Sequence, residues 1–271
     1  MGEAIVITSG KGGVGKTTTS ANLGTALAYT ADKKVCMIDT DIGLRNLDVV
    51  MGIENRIVFD LVDVAEGRCK LPQALVHIKK FKELYLLPAA QTRDKSAVTP
   101  EQMREIINEL RPDFDYILID CPAGIEQGFK NAVAGADKAI VVTTPEISSM
   151  RDADRIIGML EDRAELVKLV EPPKLIINRV RGHLVKEDEM LDVEDIVRML
   201  SIDLLGVVED DEAVLRATNT GEPVVSSPNG KASLAYRNIA RRLLGESVPL
   251  QPLDQGKTGV LTKVKKFLGI R

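Results

Sequence analysis

Gly10-Lys-Gly-Gly-Val-Gly-Lys-Thr17 is the stretch whose residue types and spacing most directly dictate a chemistry. It fits G-x-x-x-x-G-K-[ST], a glycine turn whose backbone N–H groups can wrap a polyphosphate, followed by a cation and a hydroxyl. On that reading Gly10, Lys11, Gly12, Gly13, Val14, Gly15, Lys16, Thr17 and Thr18 surround the phosphates. Lys16 would bridge the β- and γ-phosphates, and Thr17 would ligate Mg²⁺. The string also fits G-x-G-x-x-G, the dinucleotide-binding turn, which likewise sets a helix N-terminus against phosphate oxygens. Only a triphosphate site needs the fixed ammonium and metal-binding hydroxyl that follow. The expected ligands are therefore a nucleoside triphosphate and Mg²⁺, and the expected chemistry is phosphoryl transfer to water.

Such a site needs carboxylates, and two apolar runs end in them. Tyr116–Ile119 leads into Asp120, placed to hold Mg²⁺ directly or through water, and Val35–Ile38 leads into Asp39-Thr-Asp41. Asp39 and Asp41 alternate along an extended backbone, so they share a direction only if the chain turns between them. One could orient the attacking water while the other supports Mg²⁺ or Lys16; Asp41 could equally cap the next segment. No histidine or glutamate base is required, because phosphoryl transfer depends mostly on positioning and charge stabilisation.

Composition removes other chemistries. Net charge is −4, and with no Trp and 3% aromatics the chain has neither the basic surface nor the stacking platforms that nucleic acids use. Cys36, Cys69 and Cys121 are too far apart for a zinc or iron–sulfur site; Cys36 and Cys121 lie in or beside apolar runs and are expected to be buried. His77 and His183 are the only histidines, which disfavours an imidazole-bound metal or a Ser–His–Asp triad. The N-terminal residues run straight into a strand rather than reading as a signal peptide, and no apolar run reaches the ~20 residues needed to cross a bilayer.

The elements that position these residues follow a βαβα rhythm. Ala4–Thr8, Val35–Ile38, Leu84–Leu87, Tyr116–Ile119, Ala139–Val142, Leu175–Ile177 and Leu204–Val208 read as strands covered on both faces. Helices are expected from Lys16 to about Thr30, and at Pro100–Leu110, Ser149–Val167, Val193–Leu200 and Lys231–Leu244. The fold class is therefore α/β, a mostly parallel sheet with helices on both faces. One domain spans residues 1–245; 246–256, with two prolines, reads as a linker, and 257–271 stands apart.

The string KGGVGKTT resembles the deviant Walker A loop of the MinD/ParA family. DTDIGLRNLD (39–48) and DCPAGIE (120–126) are similar to that family's other motifs, as are PAAQTRD (88–94), TTPEISSMRDADR (143–155), INRVRG (177–182) and TNTGEPVV (218–225). The pattern resembles that of the membrane-associated ATPases of this family, which place the bacterial division site. The resemblance implies that Lys11, otherwise a solvated loop charge, reaches the nucleotide of a second subunit in an ATP-bound homodimer. It implies that Asp41 is the acid that orients water and that Asn178, which could otherwise cap a loop, hydrogen-bonds adenine. It also places Asn46, Asp152 and Asp154 on partner surfaces, with a MinC-like inhibitor and a MinE-like activator as partners. One departure touches the adenine pocket: Glu209 stands where the family commonly has proline.

Residues 257–271, KTGVLTKVKKFLGIR, place Val260, Leu261, Val264, Phe267 and Leu268 on one helical face. Lys257, Lys263, Lys265, Lys266 and Arg271 surround that face and no acid does, leaving the rest of the chain near −9. This pattern reads as a helix lying in an anionic membrane surface, with docking on the body as the alternative. About twelve residues at ~1.5 Å each cannot span a bilayer. The expected location is cytoplasmic, peripheral on the inner face of the cell membrane. A ParA-type DNA-partitioning ATPase and a flagellar-placement relative are the rival readings. The first would be expected to carry basic charge on the body and the second to extend ahead of the phosphate loop.

Overall fold

Ala4, Ile5, Val6 and Ile7 are fully buried, and the strand they form, β1 (Glu3–Thr8), runs through the middle of the sheet. The structure is a computed structural model that describes residues 1–162 and 169–254. The other strands are β2 (Val35–Asp39), β3 (Val76–His77), β4 (Leu84–Leu87), β5 (Tyr116–Asp120), β6 (Lys138–Thr143), β7 (Lys174–Val180) and β8 (Asp203–Glu209). They form one sheet in the order β3-β4-β2-β5-β1-β6-β7-β8. Every pairing is parallel except β3 with β4.

Side chains alternate between two cores. Ala4 and Val6 belong to the core on one face, Ile5 and Ile7 to that on the other. Helices Pro100–Leu110, Gln127–Val133, Ile147–Asp162 and Val193–Leu200 cover the first face; Lys16–Thr30 and Lys231–Leu243 cover the second. A strand covered on both sides needs no polar face, which is why its sequence is a continuous apolar run.

The chain moves from β1 to β2 on one side of the sheet, and later from β5 across β1 to β6 on the other. This reversal leaves a crevice beyond the carboxyl end of β1, where open parallel sheets bind ligands. Thr8, Asp39 and Asp120, which end β1, β2 and β5, all open onto that edge.

Element boundaries match where capping chemistry is explicit. Helix Pro100–Leu110 starts with proline at its first position, and Thr99 and Gln102 cap each other's backbone N–H. Helix Ile147–Asp162 begins two residues before the expected Ser149; the expected extension over 163–167 lies outside the described residues. The two-residue edge strand β3 and the short helices Leu47–Val50 and Glu212–Asn219 were not expected. Among the described residues no helix is long and apolar enough to cross a membrane.

Candidate functional site: a phosphate loop facing two buried carboxylates

The turn after β1 is built for close approach. Gly13 and Gly15 have φ of 79° and 98°, in the left-handed region that side chains disfavour. A Cβ on Gly15 would lie 2.3 Å from Asn178 Nδ2, and one on Gly10 would lie 2.2 Å from the carbonyl oxygen of Asp152. Gly15 is also the N-cap of helix Lys16–Thr30, where no side chain caps the helix and no acid occupies the first turn. The first-turn amides and the positive end of the helix dipole are thereby left for an anion.

Lys16 is buried, and its ammonium donates to Ser9 Oγ at 2.9 Å. Ser9 in turn donates to the carbonyl of Lys11 at 2.7 Å, so the loop and the lysine brace each other. Desolvation holds the Lys16 pKa below the usual lysine value, opposed chiefly by the charge of Asp120 and further by that of Asp41. An ammonium taken out of water in this way is stabilised further by an anion.

Opposite stand Asp39 and Asp120, neighbours in the β2–β5 register and both fully buried. Asp120 Oδ1 accepts from Ser20 Oγ at 2.8 Å, and Thr17 also bonds to this carboxylate. Both oxygens of Asp39 hold backbone: Oδ1 accepts from Asp41 N at 2.9 Å and Oδ2 from Leu47 N at 3.1 Å. The chain turns after Asp41, whose carbonyl accepts from the N–H groups of Leu44 and Arg45. Burial pushes the Asp120 pKa up first, and the neighbouring Asp39 adds to this; bonds from Thr17 and Ser20 and the charge of Lys16 oppose it. Asp39 is likewise raised by burial, with its two backbone bonds opposing and Asp41 and Asp48 adding repulsion.

A divalent cation fits what these groups lack. The Thr17 hydroxyl and the Asp120 carboxylate are hard oxygen donors beside a second buried carboxylate. Among the described residues no three His, Cys, Asp or Glu side chains cluster as a metal cage. That is the donor set of Mg²⁺, which is usually held by one or two carboxylates together with substrate phosphates.

The pair also gives the metal-free protein a pH dependence. Carboxyls whose pKa is raised on folding contribute stability at low pH that is lost as pH climbs from about 4 towards neutrality. Asp120→Asn is therefore expected to raise the melting temperature of the nucleotide-free protein at pH 7.5 by a few degrees, about 1–2 kcal/mol. At pH 5 the gain should shrink. A scanning-calorimetry difference that is the same at both pH values would contradict the assignment.

Lys11 donates to Glu146 Oε2 at 3.1 Å and to Ser148 Oγ at 2.9 Å, so in a single chain it is held at the start of helix Ile147–Asp162. Asn178 is buried at the end of β7, and its Nδ2 donates to the carbonyl of Val14 at 2.8 Å. Beside it opens a cleft of about 320 Å³ lined by Gly15, Thr18, Arg179, Glu209 and Asp211 among others. The cleft adjoins the phosphate loop, and its size suits a nucleoside base and sugar.

The family model for the CobQ/CobB/MinD/ParA nucleotide binding domain matches residues 5–224. The chain is 65% identical to the septum site-determining protein MinD of Bacillus subtilis over the whole of both proteins. The chain belongs to the MinD/ParA family. Its fold superposes with a TM-score of 0.83 on the MinC:MinD cell division protein complex of Aquifex aeolicus. That match is 48% identical and covers 93% of this chain and 99% of that one. MinD complexed with Mg-ADP from Pyrococcus horikoshii matches at 32% identity and a TM-score of 0.79, covering 90% and 96% of the two chains.

For a MinD/ParA protein, this structure brings Gly10, Gly12, Gly13, Gly15, Lys16, Thr17, Asp39, Asp41 and Asp120 to one edge of the sheet. Asn178 sits at the loop's other side. Asn46 and Asp154 are exposed and Asp152 is half-buried against Gly10. Val260, Leu261, Val264, Phe267 and Leu268 lie outside the described residues. Several side chains that hold the site were not singled out from sequence: Ser9, Ser20, Glu146 and Ser148, and the Arg45–Asp48 ion pair at 2.8 Å that braces the loop after Asp41. Ser9 and Ser20 flank the motif at helix and turn spacing from Lys16, a signal that was available.

Proposed function

We propose that this protein is a Mg²⁺-dependent ATPase that dimerises on ATP and positions the bacterial division septum by carrying a MinC-like inhibitor to the membrane. The observation that carries the nucleotide part is the buried Lys16 ammonium at an uncapped helix N-terminus, facing Thr17 and the Asp120 carboxylate. The names of the relatives supply the cellular role, and the MinC:MinD complex of Aquifex supports the inhibitor as a partner.

The amides of the Gly10–Gly15 turn and Lys16 bind the phosphate chain and place positive charge where negative charge accumulates in the transition state. Thr17 and Asp120 would hold Mg²⁺, which when bound neutralises β- and γ-phosphate oxygens. Asp41 orients the attacking water, and Asp39 fixes the loop that carries Asp41 by holding the N–H groups of Asp41 and Leu47. Lys11 leaves Glu146 and Ser148 to reach the second subunit's phosphates, which makes dimerisation part of catalysis. Asn178 supports the loop through Val14 and meets adenine in the cleft. A MinE-like activator then accelerates hydrolysis and separates the dimer.

The basic, amphipathic residues 257–271 supply the membrane contact. Each cation contributes about 1 kcal/mol near an anionic surface, so one tail binds weakly. Two tails on one dimer bind far more tightly, because the second association is effectively intramolecular. The chain should therefore sediment with anionic liposomes in ATP and remain in the supernatant in ADP or without nucleotide. Sedimentation indifferent to nucleotide, or ATP-dependent capture by plain duplex DNA instead of lipid, would overturn this reading in favour of a DNA-partitioning one.

A further inference from the structure

Residues 246–254 do not hang from the body; they are strapped to it. Arg242, near the end of helix Lys231–Leu243, donates to three carbonyls. Nη1 reaches Leu205 O in β8 at 3.0 Å, Nε reaches Val248 O at 2.8 Å and Nη2 reaches Pro249 O at 2.8 Å. The fork of a guanidinium suits such bridging, because its donors are fixed in one plane. Here they join a strand of the body to the segment that leaves it.

Further along, Leu253 packs against the core of the first sheet face. Asp254 is fixed on three sides. Its carboxylate pairs with Lys231, and its N–H donates to Glu209 Oε2 at 3.1 Å. Its carbonyl lies so close to Gly182 that a Cβ there would sit 2.4 Å away. Glu209 Oε2 is also 3.9 Å from Lys231 Nζ.

Glu209 has a second position in the fold. It ends β8 and forms part of the wall of the 320 Å³ cleft, together with Asn178, Asp210 and Asp211. It also lines the small cavity under the strap with Leu250 and Leu253. A single carboxylate thus belongs both to the wall around the base and to the anchor of the strap. A ligand in the cleft would bear on the ends of β7 and β8, and with them on the acceptor on which Asp254 docks.

We infer that Glu209 is a positioning residue shared between the nucleotide's base cleft and the strap, so that occupancy of the cleft and docking of residues 246–254 stabilise each other. The inference rests on the nucleotide reading of the cleft. Linkage makes the effect reciprocal: whatever loosens the strap weakens nucleotide binding by the factor through which nucleotide tightens the strap.

Hydrogen exchange on the full chain, with and without Mg·ADP, tests this. Amides of 250–254 are expected to exchange about fivefold more slowly when the phosphate-loop amides are protected. Gly182→Ala pushes directly on the Asp254 carbonyl without touching the cleft. It should abolish the strap protection and weaken Mg·ADP binding, measured by calorimetry, about fivefold. Arg242→Gln releases the strap from its other end and should give the same two effects; if either variant fails to fold, the other carries the test. Protection of the phosphate loop with unchanged exchange at 250–254 overturns the inference, as does an undocked strap with unaltered affinity. Protection at neither place overturns the nucleotide reading and this inference with it.

Discussion

Lys16→Ala is expected to lower ATP turnover by about 10³-fold or more, the scale on which removal of one preorganised charge-stabilising group acts. The structure supplies the reason for so large an effect. The ammonium is buried, braced by Ser9, and has given up hydration before any ligand arrives. Its attraction for developing charge acts in a water-poor site and needs no reorganisation at the moment of reaction. Lys16→Arg should not rescue, because a planar guanidinium cannot take the place of a compact ammonium beside Ser9. Phosphate-release kinetics give the turnover, and liposome sedimentation in ATP should fail in the same variant because dimerisation fails. Turnover within tenfold of the unsubstituted protein would remove Lys16 from the role assigned to it.

Phe267→Glu is expected to lose membrane binding while keeping hydrolysis. It lies outside the nucleotide-binding domain, so basal hydrolysis should change less than twofold. It also places a charge in the middle of the apolar stripe Val260, Leu261, Val264, Phe267 and Leu268. Withdrawing an aromatic ring from the lipid surface costs about 2 kcal/mol per tail, and the added acid cancels one basic contribution of about 1 kcal/mol. Two tails per dimer double that loss, so ATP-dependent sedimentation with anionic liposomes should disappear. Normal sedimentation of Phe267→Glu would remove the membrane role from residues 257–271. The two variants together separate the engine from the anchor: one loses both hydrolysis and membrane binding, the other only the second.

How far the sequence could be read depended on whether the relevant physics was local. Strand cores were legible because a strand sandwiched between helices has to be continuously apolar, as Ile117–Ile119 and Val35–Ile38 are. Helix Pro100–Leu110 was legible to the residue because Thr99-Pro-Glu-Gln carries its own capping chemistry. Helix Glu212–Asn219 was missed, although Asp211 caps it by accepting from Ala213 N. None of its residues is fully buried, and its apolar face, Ala213, Val214 and Ala217, is small and short. The strand β3 was missed for a related reason: two residues are too few to show a period.

At the site, the residue types announced the chemistry, but their interactions did not. Ser20 and Asp120 are a hundred residues apart and share a 2.8 Å hydrogen bond; Lys11 and Glu146 are farther apart still in the chain and form an ion pair. No spacing rule reaches across such intervals.

By itself, the sequence determined the glycine turn after β1, the lysine and threonine that follow it and the acids at two strand ends. Each of these is specified within a few consecutive residues, where backbone geometry relates spacing to direction. Only the tertiary structure decided that Asp39 spends both oxygens on the backbone of its own loop, that Asn178 braces Val14, and that Lys11 is held by Glu146 in a single chain. It also decided that residues 246–254 are bound to the body beside the cleft. Those contacts depend on which strands become neighbours, and strand order is set by packing of the whole sheet rather than by any segment of it.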